Sequence, residues 1–221
     1  MAAASAFSGQ INCGTSWSIF ALFGEPRRLW LDTDALKQKF HTLAGEAHPD
    51  RVHSADESTK AAAARRYAAL AAAYQVLGNP RALLGHWLEL ERGAKPPPLQ
   101  SIPLPLQDLL FEVGRILRAA DELVREKSKI SSPLLQVQFF ARSQAHIEKL
   151  KATLQAIETQ RAALMAEVKK LDAEFFGEPS ADQKAECTTI PWPRIEEIYH
   201  SLGFLARSTE QLRERLVQIG F

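Results

Sequence analysis

The sequence predicts an all-α protein built from two helical units. Three observations carry that expectation. Apolar residues recur at alternating spacings of three and four along most of the chain, which sets them on one face of a helix. The Val/Ile/Thr alternation of a half-buried strand is absent. Five prolines (Pro96, Pro97, Pro98, Pro103 and Pro105) crowd residues 95–105. Each fixes φ and removes a backbone donor, so no helix runs through them. The stretch reads as a stiff linker.

Four helical segments precede the linker. A short one at Trp17–Phe23 is stopped by Gly24 and Pro26. The next starts at Asp32, an N-cap residue, and carries Ala35, Leu36, Phe40 and Leu43 at helical spacing. It ends before Pro49, because the residue before proline avoids the α region. A third, from Asp56 to Leu77, is rich in alanine, the best helix former. Tyr67, Leu70, Tyr74 and Leu77 mark its buried stripe, and Gly78-Asn79 end it. The fourth, Pro80–Glu91, takes proline in its first turn and apolar cover from Leu83, Leu84, Trp87, Leu88 and Leu90.

Three segments follow the linker. Leu106–Glu126 turns Leu109, Leu110, Val113, Ile116, Leu117, Ala120 and Val124 inward. Pro133–Phe176 carries a heptad-like seam of Ile147, Leu150, Leu154, Ile157, Leu164, Val168, Leu171 and Phe175. Pro193–Ile219 presents Ile195, Ile198, Tyr199, Leu202, Leu205, Leu212, Leu216 and Ile219. Three amphipathic helices joined by turns make an antiparallel bundle the economical arrangement. The expected division is a flexible tail at 1–16, a unit at 17–94, the linker at 95–105 and the bundle at 106–221. Heptad seams pack within a chain or between chains, so self-association through the bundle stays open.

Composition narrows the function. With 46% apolar and 24% charged residues the chain can bury a globular core. A formal net charge of +1 and no clustered basic stripe argue against nucleic acid as a partner. Cys13 and Cys187, far apart, make neither a disulfide framework nor a zinc site; they read as free thiols in a reducing compartment, hence a cytoplasmic protein. No apolar run approaches the ~20 residues that cross a bilayer. Met1–Ser16 lacks the basic residues of a secretory or transit signal. No nucleophile elbow or Gly-rich phosphate loop appears, so a hydrolase reading is poor. The spacing of His48, His53, Asp50 and Asp56 matches no recognised zinc or calcium pattern, so no metal or other cofactor is expected.

The chemistry-bearing motif is His48-Pro49-Asp50, set between two amphipathic helices. Pro49 forces a turn, so His48 and Asp50 project where a partner reaches them. Arg51 follows, and Lys37, Lys39 and His41 make the preceding helix basic. A basic helix beside an exposed carboxylate suits an acidic groove that also offers an arginine. Read without the loop, these cations are an ordinary solvated helix face.

Helix, HPD loop, long helix and short helix resemble the J-domain. The closer resemblance is to the HscB family of iron–sulfur co-chaperones. Phe20-Ala-Leu-Phe-Gly24, Pro26, Leu31-Asp-Thr-Asp-Ala-Leu36 and Phe40 are similar to that family's opening. Ala73-Tyr-Gln-Val-Leu77, Asn79-Pro80 and His86-Trp87-Leu88 are similar to its third and fourth helices. The resemblance implies a J-domain, a helical hairpin with the HPD loop plus two short helices, joined to a C-terminal three-helix bundle. It implies that His48, Pro49, Asp50, Arg51, Lys37, Lys39 and His41 bind an HscA- or DnaK-type chaperone and speed its ATP hydrolysis. This chain would then perform no chemistry itself. It implies further that the bundle holds an IscU-type cluster scaffold through Leu110, Phe111, Gly114, Leu202 and Phe204. Gly114 stands where the family favours a larger apolar residue, and Ala47 where tyrosine is common. Two other readings stay open: a J-domain adaptor for a different client, and a structural helical protein with an inactive J-domain.

Overall fold

The computed structural model describes residues 19–52, 54–98, 102–177 and 190–220. Seven α-helices and one 3-10 turn make up these residues, with no strand among them. They are α1 (Ile19–Phe23), α2 (Thr33–Glu46), α3 (Glu57–Leu77), α4 (Pro80–Arg92), α5 (Leu104–Lys127), α6 (Pro133–Phe176) and α7 (Trp192–Gly220). The all-α expectation holds. The tail at 1–16, Trp17, His53, both cysteines and part of the proline-rich stretch lie outside the described residues. No described helix is long and apolar enough to cross a membrane.

Caps fix the helix limits. Asp32 accepts from the N–H groups of Asp34 and Ala35, both at 2.9 Å. Asp56 caps α3 through Ser58 and Thr59, and the Asn79 side chain accepts from Ala82 N–H at 3.1 Å. Gly93 closes α4 in the left-handed region at φ +72°, where a Cβ would be strained. At the linker α5 begins earlier than expected, at Leu104. Pro105 sits in its first turn, where the missing N–H has no intrahelical partner to lose.

The chain divides into two compact units. The first contains the described residues through Pro97 together with the last turn of α6, from Leu171. Phe20, Phe23, Leu36, Leu70, Leu77, Leu84, Trp87 and Leu88 are its core, each 2% exposed or less. Phe40 of α2 stacks on Tyr74 of α3 at 4.5 Å, a geometry worth about 0.5–1.5 kcal/mol beyond area burial. Phe176 of α6 meets the Trp87 indole edge-on at 6.1 Å.

The end of α6 departs from the expected seam. Val168 is buried, but Leu171 and Phe175 are only half-buried and Asp172 is buried at 2% exposure. Its carboxylate accepts from Leu29 N–H at 2.8 Å, Trp30 N–H at 3.2 Å and Arg28 Nε at 2.9 Å. Arg28 Nη2 adds an ion pair at 2.8 Å. The seam rotates here because the α1–α2 loop offers donors where an apolar neighbour was expected.

His86 of α4 lies flat against Phe20 at 5.7 Å, with Nε2 buried and unpartnered. Burial holds its pKa below the ordinary 6.5, against a smaller opposing effect of Glu89. A depressed folded pKa means the unfolded chain takes up the proton first, so stability falls as pH drops below 6.5. The expected result is a first unit that loses stability between pH 7 and 5, and a His86→Phe variant that loses less. Urea midpoints of both proteins across that range check this; parallel curves would refute it.

The second unit contains α5, α7 and α6 up to Lys170. Asp121 pairs with Arg215, and Lys127 Nζ donates to the carbonyls of Gln218 at 2.9 Å and Ile219 at 3.3 Å. These contacts make α5 and α7 parallel. α6 runs opposite: Arg142 near its start pairs with Glu126 near the end of α5, and Glu167 near its end pairs with Arg194 at the start of α7. Val113, Ile116, Leu150, Ile157, Ile198, Leu205 and Leu212 fill the bundle core.

Candidate functional site

The loop between α2 and α3 presents the motif. α2 ends where Ala47 N–H donates to Leu43 carbonyl at 3.0 Å, with Ala47 itself buried beneath the loop. Pro49–Val52 then form a 3-10 turn, closed by Arg51 N–H on His48 carbonyl at 3.1 Å. His48 Nδ1 accepts from Asp50 N–H at 3.3 Å, which in the neutral ring leaves the hydrogen on Nε2. The same Nδ1 stands 3.5 Å from the Asp50 carboxylate. The His48 side chain is 46% exposed and that of Asp50 90%.

One partner of this loop was not visible as such in the sequence. The His48 ring meets Tyr67 of α3 edge-on, at 5.5 Å and 87°. Tyr67 was expected in the buried stripe and is half-buried. Its helical spacing signals burial but not which ring it touches. The start of α3 is also tied down: hydroxyls of Ser58 and Thr59 hold the Asp56 carboxyl at about 2. The cap fixes where α3 begins, with four residues separating it from the 3-10 turn.

The expected cations separate into two groups. Lys37 and His41, one turn apart on α2, are exposed, as is Arg51. Lys39 is committed elsewhere: its Nζ donates to Glu25 at 2.6 Å and to the Gly24 carbonyl at 3.2 Å. Gly24 reverses the chain at φ +60° and brings that carbonyl within reach. Lys39 therefore staples α2 to the α1–α2 loop, and the outward basic face is narrower than the sequence implied.

The residues expected to hold a scaffold also separate. Phe111 is 74% exposed, Leu110 and Phe204 are half-buried, and Gly114 is partly open. The parallel register of α5 and α7 sets Phe111 level with Phe204. Leu202 is different: at 5% exposure it belongs to the bundle core, because its side of α7 turns inward with Ile195 and Ile198. No group of three or more His, Cys, Asp or Glu that could hold a metal occurs among the described residues.

No family model matches the chain. Among solved structures it is similar to one described as the chaperone HscB from Vibrio cholerae, with a TM-score of 0.57 and 19% identity. The match covers 91% of this chain and 99% of that one. A likeness of that extent establishes the architecture: the chain has an HscB-like, all-α fold.

Proposed function

We propose that this protein is a J-domain co-chaperone. In this reading it docks on an ATP-bound HscA- or DnaK-type chaperone and stimulates that partner's ATPase. The observation that carries the reading is the His48-Pro49-Asp50 turn, its His48 and Asp50 side chains exposed, held between α2 and a capped α3 with Lys37, His41 and Arg51 outward. A carboxylate beside a basic helix face matches an acidic groove that contains an arginine. The bundle would hold an IscU-type iron–sulfur scaffold through Leu110, Phe111 and Phe204, the apolar expected residues that keep some surface. The likeness to HscB supports the pairing of these two roles in one chain.

The test is steady-state ATP turnover by a purified HscA-type chaperone. Added protein is expected to raise turnover, and the scaffold protein to raise it further. No stimulation with any HscA- or DnaK-type chaperone would overturn the reading. The open space over Gly114 favours one alternative, an adaptor for a different client. Stimulation by this protein alone, with no effect of scaffold, would select it.

A further inference from the structure

We propose that the space over Gly114 receives an apolar side chain of the client flanked by carboxylates, and that Arg118 and Arg207 recognise those carboxylates. The inference rests on the reading of the bundle as the client-holding unit.

A Cβ built at Gly114 would meet only Arg118 Nη1, at 3.8 Å, so the protein leaves a dent there. Phe111, 74% exposed, stands one turn before it on α5. The register of α5 and α7 sets Gly114 level with Arg207, whose Cζ lies 5.0 Å from the Phe204 ring centroid. On α5 the dent thus has Phe111 one turn before it and the Arg118 guanidinium against it, and level with it on α7 the Arg207 guanidinium lies over the Phe204 ring. Elsewhere in the bundle arginine holds carboxylates: Arg115 takes Glu112 at 2.5 Å, Arg194 takes Glu167 at 2.7 Å, and Arg215 takes Asp121. Among the described residues no carboxylate pairs with Arg118 or Arg207, and Glu112, the acid nearest Gly114 in sequence, is held by Arg115. Guanidinium is weakly hydrated and stacks on aromatic rings, so both groups can be covered by a partner at small desolvation cost. An exposed aromatic beside unpaired arginines is the composition of an interface centre rather than of ordinary surface. Charge complementarity then requires an acidic partner surface.

The experiment is calorimetric titration of the full-length protein with a purified IscU-type scaffold at low and high salt. Three variants separate the claims: Phe111→Ala, Arg118→Gln/Arg207→Gln and Arg118→Glu/Arg207→Glu. All the substituted side chains but Phe111 are outward and charged, and circular dichroism confirms the fold of each protein. The glutamine pair is expected to weaken binding roughly tenfold at low salt and to flatten its salt dependence. The glutamate pair is expected to weaken it roughly a hundredfold through like-charge repulsion. If Phe111→Ala loses binding while both arginine pairs bind as wild type, the acidic partner is wrong and the docking site stands. If all three bind as wild type, or wild type binds nothing at micromolar protein, the site reading falls and this inference with it.

Discussion

Asp50→Asn is expected to abolish stimulation of the partner ATPase and to leave the unfolding midpoint where it was. The side chain is 90% exposed, so no core contact is lost. Asparagine is nearly isosteric and keeps an oxygen for the local turn, so stability should change by less than about 0.5 kcal/mol. What disappears is one negative charge. If a chaperone arginine pairs with it in a dry interface, truncating that charge costs on the order of 2–5 kcal/mol, much of it from the partner's stranded arginine. At about 1.4 kcal/mol per decade the loss exceeds tenfold in affinity or rate. ATP turnover measured beside a urea titration checks both halves. Full stimulation by the variant would show that the loop does not act through this carboxylate.

Asp172→Ala is expected to destabilise the first unit strongly although it removes no apolar core side chain. The carboxylate is buried and accepts from two backbone N–H groups and the Arg28 guanidinium. Alanine leaves all of them without that acceptor, and Leu29, 2% exposed, cannot turn its N–H to water without opening the loop. Each stranded buried donor costs about 1–3 kcal/mol, and breaking a buried pair by removing one member costs about 3–5 kcal/mol. A loss of about 3 kcal/mol is expected, with faster amide exchange at residues 28–31. Asp172→Asn keeps one acceptor and should cost less. A change below about 0.5 kcal/mol for alanine would mean the loop is held by its apolar contacts alone.

Most of the architecture was legible in the sequence because its signals are local. Alanine content, capping aspartates and the helix-stopping glycines and prolines act over a few residues, and the seven helices fall close to where those signals put them, α5 alone reaching back into the proline-rich stretch. The exposed turn was legible for the same reason: Pro49 and the flanking helices suffice to place it. Rotation of a helix about its axis was less legible. Leu109, Leu110 and Phe111 are three apolar residues in succession, and nothing local says that Phe111 is the one left outside. Leu202 and Phe204 pose the same problem on α7. Lys39 and Asp172 were not legible because their partners are distant in sequence. A lysine on an amphipathic helix reads as solvated until Gly24 and Glu25 are folded against it. An aspartate next to a seam reads as surface until the loop at 28–30 supplies donors.

The Asp172 clamp also bears on the order in which the chain can finish folding as it is made. Its two sides are 143 residues apart at Leu29. A ribosome that has just completed the first unit's residues through Pro97 must still add about 75 more before Asp172 exists. At about 5–20 residues per second that interval is about 4–15 s. For those seconds the loop before α2 has donors with no acceptor and Trp87 lacks Phe176. Until then the first unit cannot close its last contacts, and codon choices that slow synthesis of α6 would lengthen that interval.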